Sequence, residues 1–181
     1  MVYLGASLDS SGRIGSELAR RMGMAKADFR SLSRVWSRSN LSKKRKLDIF
    51  AALVESKLLY GLSTAVYTKA ESRRIDGFQS RCLRQLLKIP AAYISRVSNA
   101  TVLQKCDVQA LSQKLLDRQC KYLQKILQTD SNSMVKKVSF VSGLSNSLQP
   151  ATSEFIRRRG RPSKEWIPET LYELRRRGFA E

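Results

Sequence analysis

Apolar residues fall at Ile14, Leu18, Met22, Ala25, Phe29, Leu32 and Trp36, in steps of 4, 4, 3, 4, 3 and 4. This is the period of an α-helix, held for about six turns, and a strand with its two-residue alternation cannot use it. A helix with one long apolar stripe has to bury that stripe against other helices. The spacing therefore predicts an all-α multi-helix bundle, and the rest of the chain repeats the signal. Ser42 is placed to cap a second helix carrying Ile49, Phe50, Leu53, Val54, Leu58 and Leu59 and stopping at Gly61. Thr68 with Glu71 reads as a capping box opening a third, through Ile75, Phe78, Leu83, Leu86 and Leu87 to a stop before Pro90. Ser98-Asn99 opens a short helix to Cys106, and Leu111, Leu115, Tyr122, Ile126 and Leu127 mark one more. Large aromatics inside such stripes, Trp36 and Phe50 above all, are core candidates.

The ends read differently. Val2-Tyr3-Leu4 is β-prone and Asp9-Ser10-Ser11-Gly12 is turn chemistry, so residues 1–12 are expected to form the end of a strand with no evident partner, as if cut from something larger. Residues 13–95 are expected to form the main bundle and 96–130 additional helices. The period lapses over 131–156, expected to be a linker around the small, polar run Ser142-Gly143-Leu144-Ser145-Asn146-Ser147-Leu148-Gln149-Pro150. Residues 157–181 form an Arg-rich, partly disordered tail with a short helix opening near Pro168 and closing at Arg175-Arg176-Arg177-Gly178.

Charge constrains the partner. The 181 residues carry 34 Lys+Arg against 15 Asp+Glu, a net charge of +19. A globular composition with that self-repulsion points to a polyanion, nucleic acid or an anionic surface. Lys26, Arg30, Arg34 and Arg38 recur every four residues along one face of the first helix, where like charges destabilise one another by about 0.2–0.5 kcal/mol per pair. Lys43, Lys44, Arg45 and Lys46 fill the first turn of the second helix, the wrong sign for that end of the dipole unless phosphates lie outside. Arg74, Arg81, Arg84 and Lys88 form a third basic stripe. Arg157, Arg158, Arg159, Arg161 and Lys164 surround an Arg-Gly-Arg-Pro core of the kind that enters an A·T minor groove, with a phosphate-neutralising linker as the plainer reading. Each stripe also has a plain reading, a solvated basic face.

Several classes are excluded. There is no histidine, which removes triads, Cys-His pairs and most zinc sites. Cys82, Cys106 and Cys120 are odd in number and scattered, which suits a reducing compartment and an intracellular protein of the nucleus or cytoplasm. The seven aspartates are isolated, with no Asp-Asp or Asp-x-Asp, so no two-metal site and no metal are expected. No phosphate-cradling glycine loop occurs, so no cofactor or small-molecule substrate is expected, and the chain alone is expected to be no enzyme. The longest apolar run, Ile49 to Val54, is far short of the ~20 residues that span a bilayer, and Met1 to Gly5 has no signal-peptide pattern.

Seven blocks in order carry a family likeness: Tyr3-Leu4-Gly5, the Ile14…Trp36 helix, Leu41-Ser42-x-Lys44-x-Lys46, Leu58-Leu59-Tyr60-Gly61, Phe78-Gln79-x-Arg81-Cys82-Leu83-Arg84, Val97-Ser98-Asn99-x-x-Val102-Leu103 and Arg159-Gly160-Arg161-Pro162…Trp166. Together they resemble the C-terminal part of reverse transcriptases of non-LTR (LINE-type) retrotransposons. The resemblance implies the end of the polymerase palm, the helical thumb and the basic region after it. It implies an RNA, DNA or hybrid duplex as partner, with a palm domain beside it. The family's aromatic-x-Asp-Asp metal motif lies upstream of the Tyr-Leu-Gly block and is missing here, and Gln124-Lys125 stands where many relatives carry Gly-His. The expectation is a duplex-gripping, thumb-like fragment without catalysis of its own. Its rivals are an autonomous DNA-binding protein using the AT-hook-like tail and an inert retroelement remnant.

Overall fold

The computed structural model describes residues 2–3, 6–7, 14–37, 40–140 and 165–178. The fold is predominantly helical and divides into two compact units, Met1–Leu115 and Leu116–Glu181.

In the first unit β1 (Val2–Tyr3) pairs antiparallel with β2 (Ala6–Ser7), so the expected lone strand finds its partner four residues on. The long first helix is broken. Helix α1 (Gly15–Ser31) ends at Leu32 and α2 (Ser33–Ser37) restarts at once. Serines surround the break, and the Ser31 hydroxyl donates to the Asp28 carbonyl, the kind of side-chain competition that weakens a helix. The break lets Trp36 stack on Phe29 at 5.2 Å and donate its Nε1–H to the Phe29 carbonyl at 2.7 Å, while Phe29 meets Phe50 edge-on at 6.1 Å. All three rings are buried.

Helical dihedrals then run from α3 (Lys43–Ile49) through a π-helical segment (Phe50–Glu55) into α4 (Ser56–Leu59). Ser42 caps this run by accepting from the Arg45 N–H, and Gly61, at φ +70°, turns the chain away after it. The wider π turn rotates Leu53 outward to 49% exposure, although the regular period expects it inside. Helix α5 (Lys69–Leu86) opens on the expected capping box, Thr68 with Glu71. A short α6 (Ala92–Ser95) and α7 (Asn99–Cys106, capped by Ser98) follow, then α8 (Leu111–Gln128).

Helix α5 holds the start of α8 with side chains. Gln79 accepts from the Leu111 N–H at 3.0 Å and donates to the Gln109 carbonyl at 2.9 Å, while Asp76 accepts from the Ser112 N–H and hydroxyl. These are the donors a helix N-terminus leaves unpaired. The core of this unit is Leu18, Ala25, Phe29, Trp36, Phe50 and Val54 packed on Leu58, Ile75, Phe78, Leu83 and Val102.

The second unit buries Cys120, Leu123 and Ile126 of α8 with Phe140, Leu171 and Leu174. Helix α9 (Met134–Ser139) lies inside the stretch expected to be linker, and Phe140 just after it is core, a single apolar anchor too sparse to show as a period. Helix α10 (Trp166–Arg176) starts two residues before Pro168, which sits in its first turn, and Gly178 at φ +81° follows its end. Among the described residues no helix is long and apolar enough to cross a membrane.

Candidate nucleic-acid interface

The basic stripes do not all behave as surface. Lys26 and Arg30 on α1 and Arg34 on α2 are exposed, as expected of a charged face. The Lys43–Lys46 cluster separates. Lys44 and Arg45 are exposed, but Lys43 donates its Nζ to the Lys105 carbonyl at 2.8 Å. Lys46 is only 8% exposed and donates to the Trp36 carbonyl at 2.8 Å. Lys46 is thus a structural cation that satisfies the end of α2 and leaves the expected contact set. Burial pushes the neighbouring Cys106 thiol up, opposed by the Lys43 charge.

Arg84 departs too. It is 6% exposed, and its guanidinium donates to the carbonyls of Pro90 (3.2 Å) and Val97 (2.6 Å), to Ser95 Oγ (3.4 Å) and to Asn99 Oδ1 (3.0 Å). Its stripe-mates Arg74, Arg81 and Lys88 stay exposed, Arg81 with its Nε on the Gly77 carbonyl. The chain after α5 wraps over Arg84, so one position of the stripe is covered. Arg38 and the tail cations Arg157, Arg158, Arg159, Arg161 and Lys164 lie outside the described residues.

Two adjoining clefts bring separate stripes together. One, of about 460 Å³, is lined by Arg30, Ser33 and Ser37 with Gln85 and Lys88 over the edges of Phe29 and Trp36. The other, of about 230 Å³, is lined by Lys43, Lys46, Leu86 and Lys88 with Leu41 and Leu47. Lys88 borders both, so cations from α1, α3 and the end of α5 converge there. A separate cleft of about 720 Å³ between α1 and the π segment mixes signs through Arg20, Arg21, Asp28 and Lys57 around Met24, Leu53 and Tyr60.

A sequence signal for this end of the unit lies in what is missing. Residues 29–47 hold seven Lys and Arg and no carboxylate, and residues 77–106 hold five and none. These two acid-free segments pack on each other through Lys43 and Lys105 and across the Lys88 clefts. That signal also marks Arg96, exposed and absent from every four-residue stripe. Among the described residues no cluster of His, Cys, Asp or Glu could hold a metal ion. Compared with protein-family models, curated proteins and solved structures, the chain matches none.

Proposed function

We propose that the first unit is a thumb-like grip for a nucleic-acid duplex, the non-catalytic C-terminal part of a reverse transcriptase of the non-LTR retrotransposon type, acting in the nucleus or cytoplasm beside a polymerase palm. One observation carries the reading. Two segments far apart in sequence, each free of carboxylates, are packed together, with Arg30, Lys43 and Lys88 lining the clefts they share and Arg34, Lys44, Arg45 and Arg96 exposed elsewhere on the same segments. Such a surface repels itself in the free protein and is neutralised by phosphates. Contacts of this kind hold a backbone without reading its sequence.

Salt-dependent binding tests it. A grip on about six phosphates gives a slope of log K against log salt near −5, from about −0.9 per contact. Lys44 and Arg45 are exposed, so K44Q/R45Q should flatten that slope by about two units and weaken all sequences alike. Lys46 is left intact because it supports α2. A double variant with an unchanged slope refutes this surface. The tail-based alternative is separated by R159Q/R161Q, which should remove A·T preference only if the tail carries binding. Deleting 150–181 would not serve, since it strips Leu171 and Leu174 from the second core.

A further inference from the structure

The turn between α5 and α7 exposes its apolar tip. Tyr93 is 80% exposed, more than any other large apolar side chain among the described residues, and its neighbour Ile94 is 61% exposed. Single exposed apolar residues are ordinary, whereas two adjacent ones on a protrusion need an account. This protrusion is braced. The buried Arg84 guanidinium bonds to Pro90 before α6, to Ser95 at its end and to Val97 and Asn99 after it, so one side chain ties both feet of the turn. Backbone bonds from Ile94 and Ser95 to the Ala91 carbonyl and from Arg96 to the Ala92 carbonyl close the tip, and Ser98 caps α7 beyond it. A backbone held this way leaves only the two torsions of the tyrosine side chain to be ordered when something stacks on the ring.

Charge selects the occupant. Lys88 and Arg96 flank the turn, both exposed and both at φ 55°, a left-handed conformation that glycine adopts more readily. No carboxylate occurs from residue 77 to residue 106. An exposed aromatic with an exposed cation on either side of it in sequence, in a segment with no acid, matches a nucleic acid, whose bases stack and whose phosphates pair with the flanks.

We infer that Tyr93 and Ile94 form a stacking wedge that takes an unpaired base at the junction of a duplex with a single strand, with Lys88 and Arg96 on the adjoining phosphates. The inference rests on the duplex-grip reading and adds a place where the duplex ends.

The experiment compares the full chain with Y93A/I94A on a short RNA–DNA hybrid bearing a single-stranded overhang, with a fluorescent base analogue at the first unpaired position. Both side chains are exposed, so the variant should melt with the parent. It should bind the overhang hybrid about tenfold more weakly, the loss of roughly one stacked base, and should lose the fluorescence change of the parent while keeping its salt slope. Equal affinity and an equal fluorescence change would overturn the wedge alone, since the salt-dependent grip would still stand. A flattened salt slope would also overturn it, by making the effect electrostatic. A parent that self-associates through this tip, with association rather than hybrid binding lost in Y93A/I94A, would show a protein contact instead. A parent that binds no hybrid at any salt would remove the grip and the wedge together.

Discussion

Removing the Arg84 side chain should loosen the end of the first unit. The guanidinium is buried, and among the described residues its charge is met by carbonyl, hydroxyl and amide oxygens and by no carboxylate. A hydrogen bond to a charged group contributes about 1.5–3 kcal/mol. Pro90 and Asn99 are exposed, so their acceptors regain water when the arginine is lost. Ser95 and Val97 are half-buried and regain less. Counting mainly the latter two, R84A should lower stability by about 3 kcal/mol. R84K keeps the charge but offers its donors from one point rather than a fork. It cannot bridge both feet of the turn, and about half of the loss should remain. Urea unfolding followed by far-UV circular dichroism gives the magnitude, and amide exchange gives the location. Protection should fall at Ile94 to Val97 and Val102 before it falls in α1. An R84A variant within about 0.5 kcal/mol of the parent would mean that the bracket contributes nothing beyond what water supplies.

Replacing Trp36 with alanine removes the stack on Phe29 and the Nε1 bond to its carbonyl, and should cost about 3–5 kcal/mol in a thermal melt, with W36F recovering most of it. Stability should also fall in alkali. Burial pushes the Cys82 thiol up to about 12, against the opposing Arg81 charge, and burial raises the Tyr67 phenol, which donates to the Leu62 carbonyl. Both groups keep their protons in the folded state past the pH at which the unfolded chain releases them. Their contribution is complete below the ordinary thiol value of 9.0 and is lost as pH rises through the folded values. Urea midpoints measured across that window should decline, less steeply in C82A and Y67F, and a flat profile would contradict the assignment.

Local chemistry was the legible part. The caps at Ser42, Thr68 and Ser98, and the glycines after α4 and α10, act within a few residues of themselves and can be read from the string. The apolar period likewise placed Trp36 and Phe50 in the core, because one stripe has only one side to bury. The break at Leu32 and the π turn at Phe50 were not legible. Each is a small local loss accepted for tertiary contacts, the Phe29–Trp36 stack in the first case and the packing of Phe50 and Val54 with Leu53 turned out in the second. Within the candidate interface, the direction of each cation was hidden for the same reason. Lys44 and Lys46 stand two residues apart in one basic run, and only the position of the Trp36 carbonyl sends one to the surface and the other inside.

A common cause links the buried cations to the exposed ones. A helix ends in carbonyls that lack partners, and a cation nearby can bond either to those carbonyls or to a carboxylate. Here the acid-free segments offer no carboxylate, so Lys43, Lys46 and Arg84 turn to backbone oxygens at the ends of α7 and α2 and after α5. Lys136 in the second unit does the same with the carbonyls of Leu127 and Thr129 at the end of α8. A carbonyl accepts the hydrogen bond without cancelling the charge. The buried cations Lys46 and Arg84 therefore add to the charge of the exposed ones instead of neutralising it. Burying a cation against carbonyls and presenting a cation to phosphate are two results of one deficit. For that reason the residues that hold this end of the fold together and those proposed to hold a duplex lie in the same two stretches of sequence.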